Sequence, residues 1–129
     1  MYPTDKKYSK EHEWVKIEGD LAIIGITDYA QNELGEIVYV ELPQAGSTFQ
    51  VQEVFGSVES VKAVSDIFAP ISGEIDSPNE LLEEEPELLN NDPHGEGWLV
   101  KMVPANTAEI DELMDAAAYE KFLAEEGSK

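Results

Sequence analysis

The chain contains no cysteine and no arginine. Without thiols it forms no disulfide, no thiolate metal site and no cysteine nucleophile, so any redox chemistry has to be carried by an attached group. Positive charge is also scarce: 8 lysines stand against 28 acids, for a formal net charge of −20. A field of that sign repels phosphate backbones and anionic headgroups, which excludes nucleic-acid and membrane partners and leaves basic protein surfaces, or solubility alone, as its purpose. No apolar stretch approaches membrane-spanning length. The opening Met1-Tyr2-Pro3-Thr4-Asp5-Lys6-Lys7 has neither the apolar core of a signal peptide nor the Arg-rich character of a transit peptide. A soluble, cytoplasmic protein of bacterial type is expected. Nor is there a Gly-rich phosphate loop, a Ser/His/Asp signature or zinc-ligand spacing, so no enzyme is expected.

What is present is β-rich. With 129 residues and a hydrophobic fraction of 42%, the chain is sized for one domain over 1–129, with a core about 8–103 and a C-terminal helical segment about 106–125. Trp14-Val15-Lys16-Ile17, the turn Gly19-Asp20 and Leu21 to Ile26 read as a hairpin, its second strand apolar on both faces and therefore buried between layers. Asp28 and Gln31 have capping-box spacing, which predicts a short inner helix over Tyr29 to Leu34 ended by Gly35. Strand composition returns at Gly35 to Leu42, at Phe49 to Phe55 up to Gly56, at Ile67 to Ile71 and at Gly73 to Ile75. Residues 76–97 read as a long polar loop with short helical turns, pegged by Leu81-Leu82 and Leu88-Leu89. Trp98 to Val103 is the last strand. Asn106 with Glu109 then predicts a capped helix whose Ile110, Leu113, Met114 and Ala117 share one face, with a break near Asp115 and Tyr119, Phe122 and Leu123 extending the apolar side. About seven short strands with a short inner helix and a C-terminal helix indicate a mainly β fold, a β-sandwich or flattened barrel.

Between Ile17 and Val100 the only Lys or Arg is Lys62. It lies in the polar bend Glu59-Ser60-Val61-Lys62-Ala63-Val64-Ser65-Asp66, between the apolar runs Val54 to Val58 and Ile67 to Ile71. A lone amine with small neighbours on a presented bend is either an attachment point or an ordinary surface lysine. Acidic neighbours favour the ammonium, so acylation would need a dedicated enzyme to deprotonate it. His12 and His94 share no spacing motif and read as structural or surface residues. Glu83-Glu84-Glu85 with Glu87 reads as a solvated loop before it reads as a cation site.

Four stretches, Ser9-Lys10-Glu11-His12-Glu13-Trp14-Val15, Gly25 to Gln31, Gly35 to Pro43 and Glu59-Ser60-Val61-Lys62-Ala63, occur in an order that resembles glycine cleavage system H-protein. Pro70 to Ile75, Gly97-Trp98 and Tyr119 agree, and the likeness runs from Tyr8 to Glu125. The resemblance implies a biotinyl/lipoyl-carrier β-sandwich with lipoate in amide linkage to Lys62. It implies that Glu59, three residues before the lysine, and Gly73, eleven after it, serve lipoylation recognition; otherwise they are a solvated strand-end carboxylate and a turn glycine. It also places Glu13 and Asp66 beside a cleft that shelters the loaded arm, where carboxylates would pair with an aminomethyl cation. Glu11 stands where relatives often carry Ser and reads as surface charge.

The implied cycle loads the aminomethyl group of glycine from a pyridoxal-phosphate P-protein decarboxylase. A tetrahydrofolate-dependent T-protein aminomethyltransferase unloads it, and a flavin L-protein dihydrolipoyl dehydrogenase reoxidises the arm. Lipoate-attaching enzymes complete the partner set of a monomeric shuttle. A biotin carrier would be expected to flank the lysine with Met, where Val61 and Ala63 stand. The alternative that the same motif supports is an H-like relay supplying lipoyl or octanoyl groups to other acceptor domains.

Overall fold

In a computed structural model, which describes residues 2–127, the Trp14 hairpin forms as the composition predicts. Strand β1 is Lys7–Tyr8, β2 is Glu13–Glu18 and β3 is Leu21–Ile26; β2 and β3 pair antiparallel from Glu13↔Ile26 to Glu18↔Leu21. Gly19 takes φ +61 in the connecting turn, a left-handed conformation that suits glycine. Ala22, Ile24 and Ile26 face the main core, while Ile23 faces a second apolar cluster with Tyr8, Trp14, Ala116 and Tyr119. Burial on both faces follows from the unbroken apolar run.

The first helix, α1 (Asp28–Leu34), starts one residue before the predicted position. Its cap is Thr27, whose Oγ1 accepts from Ala30 N at 3.2 Å, while Gln31 Nε2 donates to Asp28 Oδ1 at 2.9 Å. Gly35 ends it at φ +83, its N–H bonded to Gln31 O. The chain continues as β4 (Ile37–Glu41), β5 (Thr48–Phe49), β6 (Val54–Ser60), β7 (Val64–Phe68) and β8 (Gly73–Pro78). Two single-turn helices follow, α2 (Leu81–Glu84) and α3 (Leu88–Asn91), then β9 (Val100–Pro104). Only one leucine of each predicted pair is a full peg: Leu82 and Leu89 are buried, and Leu81 is 48% exposed.

Two sheets result, one ordered β1-β2-β3-β9-β8-β5 and one ordered β4-β6-β7. Val15, Ile24, Ile75 and Met102 of the first meet Ile37, Val40, Val58 and Ile67 of the second, forming a β-sandwich.

The C-terminal segment breaks close to Asp115 as expected, but the first part is shorter and the apolar face is not continuous across the break. It is two helices, α4 (Ala108–Asp111) and α5 (Ala116–Gly127), because Met114 leaves the helix to exchange backbone hydrogen bonds with Tyr8 at 2.7 and 2.8 Å. The interruption resets the helical phase, so Ala116 is buried and Ala117 exposed. Glu109 does not close a capping box; its carboxylate accepts from Ser72 N at 2.7 Å and Ser72 Oγ at 3.0 Å, tying α4 to the start of β8.

Candidate functional site

The Lys62 bend is a hairpin turn between β6 and β7, whose ladder closes at Glu59↔Val64. Its conformation is fixed by Ser60. Ser60 N donates to Ala63 O at 2.8 Å, and the buried Ser60 Oγ accepts from both Lys62 N and Ala63 N at 3.2 Å. Serine suits this position because one hydroxyl serves two orphan N–H groups of a tight turn. Val61 and Lys62 occupy the tip. From outside the hairpin, Val61 N donates to Glu36 O at 3.0 Å and anchors the tip. The Lys62 side chain lies over Gly35, with Cε 3.2 Å from where a Cβ there would sit. Lys62 is exposed, and among the described residues no hydrogen bond or ion pair engages its Nζ. Beside it, Val61 and Val64 are 65% and 67% exposed, so the amine is presented on an uncovered apolar rim.

The predicted site residues divide between this tip and the opposite end of β7. Glu59 is exposed on β6, opposite Tyr39 on one side and Val64 on the other. Gly73 does not adjoin the turn. It opens β8 opposite Phe49 and Pro104, where a Cβ would collide with Val103 O and with Met102 Cγ and Sδ. Its lack of a side chain is required by packing in the six-stranded sheet, not by the shape of the bend.

Glu13 opens β2 and is only 2% exposed. Ser9 Oγ donates to its Oε1 at 2.5 Å, and Phe68 N, on the edge strand β7, donates to Oε2 at 3.4 Å. Burial pushes the Glu13 carboxyl from its ordinary 4.5 up to about 7, against the opposing pull of those two hydrogen bonds. Asp66 lies two residues nearer the tip on the same strand, exposed and opposite Ser57. The structure therefore brings both acids to β7, one dry and one wet. Glu11 instead accepts from Gln52 Nε2 at 3.2 Å and lines a cleft of about 410 Å³ with Ser9, Gln52 and Glu109.

Both histidines bond within the scaffold: His12 Nδ1 lies 2.8 Å from Tyr119 Oη, and His94 Nε2 accepts from Asp28 N at 3.1 Å. Burial lowers the His94 pKa, which suits an acceptor nitrogen. Among the described residues no group of acids and histidines is arranged to hold a metal.

This geometry is a presented amine on a turn, and the comparisons point the same way. Residues 6–126 match the sequence model of the family described as Glycine cleavage H-protein. The chain belongs to that family. It is 55% identical to the glycine cleavage system H protein of Bacteroides fragilis, over 95% of this chain and 97% of that one. It is 53% identical to the counterpart from Carboxydothermus hydrogenoformans, over 98% of each. A crystal structure of the H protein from Mycobacterium marinum superposes with a TM-score of 0.85 at 36% identity, covering 98% of this chain and 99% of that one. The two-sheet sandwich with short helices and a C-terminal helix is thus the H-protein fold. As an H protein the chain is a lipoyl carrier in glycine cleavage and not a catalyst. No described helix is long and apolar enough to cross a membrane.

Three contributors were not legible in the sequence. Ser60 stood there only as a small flanking residue, Ser9 had no partner to suggest it, and Asn90, bonded to Gln31, Gly35 and Ile37, fell in a segment read as loop.

Proposed function

We propose that Lys62 carries lipoate in amide linkage and that the chain works as one cytoplasmic, monomeric carrier domain. The observation that supports this most directly is an exposed lysine amine, unpaired among the described residues, held at the tip of a Ser60-braced turn. A lipoyl group fits that position because the exposed amine has access to an acylating enzyme and holds no ion pair among the described residues that acylation would break. Bound there, it supplies the dithiolane that a carrier without cysteine needs for redox chemistry.

The residues of the chain divide the remaining work. Glu59, exposed one strand position before the turn, is read by the lipoate-attaching enzymes. Gly73 contributes to recognition indirectly, by keeping the β5-β8-β9 register that holds the sandwich in shape. Asp66 offers an exposed carboxylate to a cationic aminomethyl cargo. Glu13 offers a buried one, held by Ser9 and Phe68, whose ionisation a nearby cation would favour. Water is excluded at Glu13 by its burial. The partners on this reading are the P-protein as donor, the T-protein as acceptor and the L-protein as oxidant.

Loading tests the proposal. Lipoylated protein incubated with glycine labelled at the α-carbon and P-protein is expected to gain the label, the carboxyl leaving as CO₂, and a Lys62→Ala variant is expected to gain none. A protein that passes lipoate to other acceptor domains yet takes no label from glycine would instead be a relay.

A further inference from the structure

Asn90, the third residue of α3, fills its amide with three hydrogen bonds to the α1–β4 junction. Its Oδ1 accepts from Ile37 N at 2.9 Å, while Nδ2 donates to Gly35 O at 2.8 Å and to Gln31 Oε1 at 2.9 Å. Two of these bracket Glu36. That residue's carbonyl takes the Val61 N–H, which anchors the tip of the turn from outside. Gly35, the other residue so held, is the one over which the Lys62 side chain lies. The segment Gly35-Glu36-Ile37 is therefore fixed by Asn90 and acts as a platform under Val61 and Lys62. An asparagine amide suits the site because it meets one N–H with its oxygen and two acceptors with its NH₂, whereas a hydroxyl has a single hydrogen to donate.

We propose that Asn90 is a positioning residue for the Lys62 turn, fixing the platform on which Val61 and Lys62 settle and so orienting the amine that receives the lipoyl group. This rests on the reading that Lys62 is the acylated residue. In that reaction the neutral Nζ attacks the carbonyl of a lipoyl adenylate. A C–N bond forms, AMP departs with the C–O electron pair, and the nitrogen loses a proton. A flexible lysine on a pivoting turn spends less time in the attacking geometry, which lowers kcat while leaving the docking surface, and so KM, in place.

A second asparagine provides the control. Asn79 is buried, donates to the Glu96 and Trp98 carbonyls at 2.9 and 2.8 Å, and accepts from Leu81 N, so its amide bonds the segments flanking α2 and β9 and not the α1–β4 junction. Asn90→Asp keeps the contact to Ile37 and sets a carboxylate against the Gly35 carbonyl. Its Val61 amide is expected to exchange hydrogen about tenfold faster, with Ile24 and Met102 exchange following global stability alone. Acylation by a lipoate-attaching enzyme given lipoate and ATP should fall about fivefold in kcat with KM nearly unchanged. Asn90→Ser, which removes the clamp without adding charge, should do the same, and serves if the Asp variant does not fold. Asn79→Asp should lose stability and leave Val61 exchange and kcat as in the parent protein.

If Val61 exchange in the Asn90 variants changes no more than global stability does, the platform is refuted. It is equally refuted if Asn79→Asp slows acylation as much. Acylation of the parent protein at a lysine other than Lys62 would overturn the underlying reading instead, and peptide mapping of the same samples distinguishes that failure.

Discussion

Replacing Glu13 by Gln should convert a pH-dependent contribution to stability into a constant one. The parent carboxyl is 2% exposed, and burial holds its pKa at about 7 against an ordinary 4.5. Between those values the unfolded chain has already released the proton that the folded protein keeps, so stability falls as pH rises. The favourable contribution is complete below pH 4.5 and lost above about pH 7. At about 1.4 kcal/mol per pH unit this amounts to about 3 kcal/mol. Glutamine never ionises, but its NH₂ meets one of the two donors that the carboxyl accepts, Ser9 Oγ or Phe68 N, at a cost of about 1 kcal/mol. Glu13→Gln is therefore expected to be about 1 kcal/mol less stable than the parent near pH 4.5 and about 2 kcal/mol more stable at pH 8, with the curves crossing between about pH 5 and 6. Urea unfolding followed by Trp fluorescence at each pH measures this. Other acids of the chain contribute to both proteins and cancel in the difference. A difference that stays constant from pH 4.5 to 8 would refute the reasoning, since Glu13 would then be an ordinary ionised carboxylate and no dry receptor for a cation.

Two further outcomes follow from the same contacts. Gly73→Ala places a Cβ against the Val103 carbonyl and Met102, and rigid backbone cannot yield as a side-chain end would. A loss of about 3 kcal/mol in urea unfolding is expected, and a loss below about 0.5 kcal/mol would mean that the sheet opens there readily. Asp66→Asn removes an exposed carboxylate from β7 without changing its shape. Hydrolysis of the aminomethyl-loaded carrier, followed by release of formaldehyde, should accelerate about threefold, and an unchanged rate would remove Asp66 from the shelter.

The fold was legible wherever one apolar pattern ran long enough. The doubly apolar run Leu21–Ile26 predicted a strand between layers, and the second cluster beneath α5 supplies the second layer. The two-residue strands β1 and β5 have no periodicity to read, which is why nine strands stand among the described residues where about seven were expected. Glu109 had the right spacing for a cap, but local spacing cannot know that Ser72 offers two donors from 37 residues away. The same limit divided the site. Lys62 was conspicuous because the chain is so poor in basic residues, whereas Asn90 matters only through groups 53 to 59 residues distant in sequence. Glu13 was visible as an acid, but its buried state depends on β7 crossing in front of it.

The central claim is that Lys62 is the carrier's attachment point, and mass spectrometry of protein from a lipoate-competent host tests it most directly. Intact protein should gain one lipoyl-sized addition, peptide mapping should place it on Lys62, and Lys62→Ala should lack it while remaining folded. An addition that persists in Lys62→Ala or maps to another lysine such as Lys101, or parent protein that stays unmodified beside an acceptor domain lipoylated in the same cells, would contradict the account.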